Sequence, residues 1–275
     1  MSVTTADVVK LRHATGAGMM DCKNALIEAE GNFDRAIEII RERGKLVASK
    51  RADREATEGC VLARVTGDKK FGAVVVLNCE TDFVAKNEKF IAFTSQILDA
   101  ALANQPATLD ELKNIKIDGR SIGDQVTEQV GIIGEKLDLS FYGKISAETV
   151  VPYIHPGNKL ATVVGFSKAG VDAQVGKDVA MQVAAMNPVA VSRDVIASEV
   201  IEKELEIAKE KFRLEGKPEA MLDKLAQGAL QKWIQESALL EQTFVKDGKI
   251  SVKQYLEQQD KGLTVTAFER YALDA

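Results

Sequence analysis

Between Thr4 and Gly44 apolar residues return every third or fourth position: Val8, Val9 and Leu11, then Met19, Met20, Cys22, Ala25, Leu26 and Ala29, then Phe33, Ala36, Ile37 and Ile40. That spacing predicts three short helices. Thr4 or Thr5 offers an N-cap oxygen, Thr15-Gly16-Ala17-Gly18 separates the first helix from the second, Gly31 stops the second, and Gly44 is expected to end the third. From Lys45 to Glu58 the chain is charged and Ala-rich without a sustained apolar stripe, and reads as a linker or an exposed helical extension. The period then changes. Cys60 to Val65 and Phe71 to Leu77 flank a Thr66-Gly67-Asp68-Lys69 turn, and the β-branched run Val74-Val75-Val76 predicts a hairpin whose second strand is well covered. From Asn87 to Ala103 a wide stripe, Phe90, Ile97 and Ala101 flanked by Ile91, Phe93, Leu98 and Leu102, predicts a helix lying on that sheet.

A polar turn from Pro106 to Gly119 leads to a predicted helix over 121–135 and a strand over 137–145. Thr149 to His155, a Pro156-Gly157-Asn158-Lys159 turn and Leu160 to Phe166 form a second hairpin, followed by a helix over 173–186 with Val175, Val179, Val183 and Met186 on one face. Hairpin then helix thus occurs twice, which predicts two repeated subdomains. After Asn187-Pro188, Ile201, Leu205, Ala208 and Phe212 fall at intervals alternating between four and three. The break Glu215-Gly216-Lys217-Pro218 and a second series, Leu222, Leu225, Ala229 and Trp233, predict an antiparallel helical hairpin projecting from the body, with two ordinary surface helices as the alternative. Ser251 to Glu257 reads as a helix, and Leu263 to Tyr271 as a strand returning to the second sheet. The expected class is α+β: an N-terminal three-helix bundle shaped like ubiquitin-associated modules (1–54), one core subdomain (55–141), and a second (142–275) with an inserted coiled-coil arm at about 193–236.

Composition narrows the function. The 275 residues exceed what one core usually holds, and 41 acidic against 36 basic side chains leave a net charge of -5, which disfavours a general nucleic-acid surface. The densest basic cluster, Arg41, Arg43, Lys45, Lys50, Arg51 and Arg54, has no interleaved aromatics and reads as a solvated face. No apolar run approaches the roughly 18 residues of a membrane span, and the first residues resemble neither a signal peptide nor an Arg-rich transit sequence, so a cytoplasmic protein without membrane contact is expected. Cys22, Cys60 and Cys79 are far apart and form no C-x-x-C pair, so each is expected to be a buried small hydrophobe rather than a metal ligand or a disulfide partner. No G-x-x-x-x-G-K-[ST] phosphate loop occurs; Gly16-x-Gly18 lacks a preceding strand, and the G-x-x-G at Gly131 to Gly134 encloses Ile-Ile with few basic side chains nearby. Only two histidines exist, His13 and His155, without a zincin motif or nucleophile elbow, and the acid beside Cys79 would raise the thiol's pKa. Covalent catalysis, a metal site and a cofactor are therefore not expected.

One stretch remains: Asn78-Cys79-Glu80-Thr81-Asp82-Phe83-Val84-Ala85-Lys86, a junction between the predicted second strand and the helix after it. Asp82 and Phe83 read either as a helix cap and a core plug or as side chains held outward for contact. Together with Leu11-Arg12-x-x-Thr15-Gly16-Ala17-Gly18-Met19-Met20-Asp21-Cys22-Lys23-x-Ala25-Leu26, this stretch closely resembles the two signatures of the translation elongation factor Ts family, in the right order and at a fitting separation. The resemblance implies guanine-nucleotide exchange on elongation factor Tu. In such proteins the segment matching Thr81, Asp82, Phe83 and Val84 enters the GTPase near its Mg2+, so Phe83 would wedge between partner helices and Asp82 would disturb the groups holding Mg2+ and the GDP phosphates. Met19, Met20 and His155 would dock the partner. The arm would serve a homodimer, a heterotetramer with two GTPases, or another contact. Bacterial members often continue into a C-terminal helical module, and this chain is expected to end before it. Two rival readings are an interaction scaffold using the bundle and arm, and an enzyme using Cys79. If the wedge reading holds, Asp82 and Phe83 stand exposed while Val84 and Ala85 bury the loop's base.

Overall fold

The computed structural model describes residues 3–273. It opens with three helices, α1 (Thr5–Thr15), α2 (Met19–Glu28) and α3 (Phe33–Lys50), closed around Val8, Leu11, Cys22, Leu26, Ala36 and Ile39. Thr4 caps α1 through a capping box with Asp7, and Gly16 ends it in the left-handed region at φ 75°. Gly44 does not end α3, as its sequence context predicts; the helix runs through it to Lys50. The helix crosses a later one closely at this point, where it is Gly131 of that later helix that has no room for a side chain against the Gly44 backbone, and Val47 and Ala48 in the extension pack on the next core. The stretch after Gly44 is therefore a packed helical extension as far as Lys50.

The hairpin follows as β1 (Glu58–Val65) and β2 (Phe71–Cys79), then a single turn α4 (Asp82–Ala85) and the long α5 (Glu88–Asn104). Next come α6 (Leu109–Asn114) and a two-rung hairpin, β3 (Lys116–Ile117) with β4 (Arg120–Ser121); α6 and β3 lie inside the stretch that reads as a polar turn, and β4 just after it. The helix α7 (Ile122–Ile133) and strand β5 (Asp138–Ser146) complete the first half, with β2 central in the antiparallel order β1-β2-β5. The second half repeats the plan: β6 (Thr149–Ile154), β7 (Leu160–Phe166) and α8 (Ala173–Met186) precede the arm, helices α9 (Ser198–Leu214) and α10 (Glu219–Ser237). A small hairpin, β8 (Thr243–Phe244) with β9 (Asp247–Ser251), then α11 (Val252–Gln259) and β10 (Val265–Ala272) end it. The last strand pairs with β7, so the second sheet reads β10-β7-β6 and also has its hairpin's second strand in the middle.

The two sheets lie face to face. Val61, Ala63, Val74 and Val76 of the first meet Val150, Ala161 and Val163 of the second, while Cys60, Leu62, Ala73, Val75 and Leu77 point the other way, toward α5 and α7. This accounts for the unbroken apolar run in β2: both faces of the strand are covered, and all nine residues are buried. On the far side Val164 and Phe166 join Val175, Val179 and Val183 of α8 and Val252 and Leu256 of α11, so the core is stacked as helices, sheet, sheet, helices.

In the arm the first series lies where periodicity predicts, with Ile201 and Leu205 half-buried against the partner helix. The second series is turned by one position: Leu222, Ala226, Leu230 and Ile234 are buried, whereas Leu225, Ala229 and Trp233 flank the seam. A short 4-3 pattern of small and large apolar residues is ambiguous by one residue, and tertiary contact with Ile196 and Ala238 selects the register.

Candidate functional site

The junction after β2 is built on a reciprocal clamp. Gly134 closes α7 in the left-handed conformation, φ 81°, which turns the chain so that Glu135 faces the end of β2. One Glu135 carboxylate oxygen accepts from the backbone N–H groups of Glu80 (3.1 Å) and Thr81 (3.0 Å), and the other from the Thr81 hydroxyl (2.6 Å). Glu80 answers in the opposite direction. Its carboxylate accepts from the Lys136 backbone N–H at 2.6 Å and from the Arg51 guanidinium at 2.7 Å, and the Lys136 hydrogen bond is the main cause holding the Glu80 carboxyl below its ordinary pKa. Lys136 also donates its ammonium to the carbonyls of Ala52 and Arg54, tying the chain after α3 to the same joint.

From that base the single turn α4 projects. Thr81 is the N-cap of α4 and accepts from the Val84 N–H. Ala85 is buried and Val84 packs on the first core, so the underside of the turn is anchored. Phe83 is 83% exposed. That disposes of the core-plug reading, since a ring used as a plug would be buried. Asp82 is half-exposed and paired with Lys86 at 2.7 Å, and this hydrogen bond holds its carboxyl below the ordinary carboxylate range, with Lys159 a further favourable charge. Asp82 is therefore ionised at neutral pH and faces outward on the same turn as Phe83.

Phe83 lines one side of an open groove of about 650 Å3, continued by Phe90 and Phe93 of α5, Ile132 and Ile133 of α7, and Gly16 of the N-terminal bundle. The first signature and the second, far apart in the chain, thus meet in one surface. Met19 (37% exposed) and Met20 (63% exposed) open α2 just past that glycine turn. His155 is placed differently. It is exposed on the β6–β7 turn, its Nδ1 2.9 Å from the Tyr153 hydroxyl, and it does not line the groove. The turn nevertheless sits at the same end of the sheets as α4: Val61 N–H donates to the Asn158 carbonyl at 2.7 Å, Lys159 pairs with Glu58 at 2.9 Å, and Glu58 lies opposite Cys79 in the hairpin register.

The profile described as Elongation factor TS matches residues 80–275, beginning inside this junction. The chain belongs to the elongation factor Ts family. Relatives extend the match to the N-terminal bundle. The chain is 52% identical over 277 residues to the Elongation factor Ts of Porphyromonas gingivalis, covering the whole of both chains. It is 51% identical over 274 residues to that of Azobacteroides pseudotrichonymphae, covering all of this chain and 99% of the other, and 41% identical over 332 residues to that of Bacteroides fragilis, covering all of both. Membership in the elongation factor Ts family places the chain among the translation elongation factors of protein biosynthesis.

Sequence reasoning places Glu80 beside the thiol as an acid, reads Arg51 only as part of a solvated basic face, and gives Glu135 and Lys136 no role at the site. The available signal is Gly134-Glu135-Lys136, a helix-stopping glycine followed by two charges, which reads as an ordinary polar turn until the β2 end is brought to it. Cys79 is buried beneath the wedge, and burial first, with the Glu135 charge second, pushes its thiol up to about 12. A buried thiol held that high presents little thiolate at neutral pH, so iodoacetamide at pH 8 is expected to leave Cys79 unlabelled in the folded protein and to label it in denaturant, read by peptide mass. Rapid labelling of the native chain would reopen the cysteine-enzyme reading. Arg41 pairs with Glu128 (3.4 Å) and Arg43 with Glu28 (2.6 Å) at the surface, whereas Arg51, read from the sequence as part of the same solvated face, is drawn into the junction by Glu80 (2.7 Å). Among the described residues no helix is long and apolar enough to cross a membrane.

Proposed function

We propose that the chain is a guanine-nucleotide exchange factor that binds elongation factor Tu with GDP and promotes GDP release by displacing Mg2+ and phosphate contacts in that GTPase. The observation that carries this reading is a large ring, Phe83, standing exposed on a single turn whose base is held by buried and hydrogen-bonded groups. An exposed aromatic on a rigid mount loses little freedom on contact, which is the physical requirement for a wedge. Asp82 brings a negative charge to the same tip, suited to competing with phosphate and carboxylate for Mg2+ and for the N–H groups of a phosphate loop. No covalent step is needed. Exchange is linkage: whatever free energy the factor's binding withdraws from GDP binding, GDP withdraws from the factor, about 1.4 kcal/mol for each tenfold.

In this reading residues 1–54 dock beside the wedge through Met19 and Met20, 55–141 carry Thr81 to Val84, and 142–275 hold a second partner domain near His155, with the arm at about 193–236 free for a homodimer or heterotetramer contact. Gly16 of the bundle lining the same groove as Phe83, with Met20 exposed in the helix that follows, supports the first of these assignments. Stopped-flow release of a fluorescent GDP from elongation factor Tu tests the function. The full chain is expected to accelerate release, on the order of a hundredfold or more when saturating, corresponding to a dissociation barrier about 2.7 kcal/mol lower. No acceleration would overturn the reading and leave the scaffold alternative.

A further inference from the structure

We infer that Glu135 is the positioning residue of the exchange wedge: it holds the β2–α4 junction in its projecting form before any partner arrives, an inference that rests on the exchange reading above. A four-residue helix cannot maintain itself, because the first turn of any helix fixes several dihedrals for a single hydrogen bond. Its persistence needs anchors outside it. The apolar anchors, Val84 and Ala85, hold only the underside, and Phe83 contributes little because it faces solvent. The upper anchor is the Glu135 carboxylate, which takes both backbone N–H groups at the turn's entrance and the Thr81 hydroxyl proton.

The hydroxyl contact decides the geometry of the cap. Thr81 has one hydroxyl proton, and donating it to Glu135 aims an oxygen lone pair at the Val84 N–H, the bond that starts α4. Glu135 therefore acts through Thr81 on the direction in which Phe83 leaves the surface. It touches neither the groove lining nor the exposed tip. Because Glu80 returns a bond to the Lys136 N–H, the two neighbouring acids fix each other's backbone, and Arg51 and Lys136 connect the joint to the end of α3. The bundle that would dock and the wedge that would act are thus referred to one rigid point.

Glu135→Gln keeps size and shape but leaves one acceptor oxygen, so the amide cannot accept from both the Thr81 hydroxyl and the two N–H groups. With its oxygen on the N–H groups, its NH2 meets the hydroxyl as a donor, and the Thr81 hydroxyl proton, which set the cap, must turn elsewhere. With the full-length variant, the saturating rate of fluorescent-GDP release from elongation factor Tu is expected to fall about tenfold or more, while the half-saturating concentration stays within about twofold, because the docking surfaces are untouched. Glu135→Asp, with the charge retained on a shorter stem, is expected to recover part of the rate. An unchanged saturating rate would overturn the inference, as would a parallel loss of rate, docking and Tm, which marks a merely structural role. Hydrogen exchange on the wild-type chain gives an arm independent of both folding of the variant and activity: the Glu80, Thr81 and Val84 amides are expected to exchange well below the rates of an unfolded chain of the same sequence. Exchange of Thr81 and Val84 at unfolded rates would overturn the clamp. If wild type fails to release GDP, the exchange reading fails, and the amide result still decides whether the wedge is held.

Discussion

Phe83→Ala is expected to lower the saturating rate of GDP release by roughly 30-fold or more with almost no change in the chain's own stability, since truncating a central aromatic contact costs about 2 kcal/mol or more at an interface. The contrast between the two effects follows from where the ring sits. With 83% of its surface open, Phe83 contributes little to its own core, so its removal leaves no cavity and the melting temperature of the free chain should hold within about 1 °C. A core plug behaves oppositely: Phe→Ala in a packed interior costs about 3–5 kcal/mol of folding free energy. Thermal melting and stopped-flow release on the same preparation separate the two.

The second large effect lies away from the groove, where α3 crosses α7. A Cβ on Gly131 would overlap the Cα of Gly44 and come within 3.2 Å of its backbone nitrogen. Backbone cannot rotate aside, so Gly131→Val must lift α3, and with it the bundle, off the core; about 3 kcal/mol of stability is expected to be lost, with Tm falling by roughly 6 °C or more. The reverse substitution is expected to behave differently. A Cβ on Gly44 would meet the Glu128 carbonyl at 3.5 Å and the Gly131 Cα at 3.7 Å, ordinary contacts, so Gly44→Ala should be neutral or stabilising by up to about 1 kcal/mol from helix propensity alone. Equal destabilisation by both changes would contradict the crossing described here.

How far these features were legible in the chain differs by residue. Val74 to Val76 and the second hairpin could be read directly, because a β-branched run between turn residues admits few alternatives. The repeat of hairpin, helix and returning strand was legible for the same reason. Gly44 was misread as a stop since glycine at a helix end and glycine at a close helix crossing look alike locally; only Gly131, far along the chain, distinguishes them. The seam of α10 was misread by one residue because Leu225, Ala229 and Trp233 are as apolar as the set that is buried. At the site, Asp82 and Phe83 could be singled out from the junction and the signature they share. Glu135 could not, because its role depends on meeting Thr81 across 54 residues, and a charged side chain after a helix-stopping glycine carries no local sign of that partner. The face-to-face stacking of the sheets had a trace in the sequence, the continuous apolar run of β2, but a strand covered by helices on both sides would produce the same run.

The wedge assignment is tested most directly by titrating the double variant Asp82→Ala/Phe83→Ala against wild type in single-turnover release of fluorescent GDP from elongation factor Tu. Wild type is expected to accelerate release to a saturating rate, and the double variant to saturate about 100-fold lower or below detection while keeping its native fold by circular dichroism. Acceleration by the double variant equal to that of wild type would contradict the account.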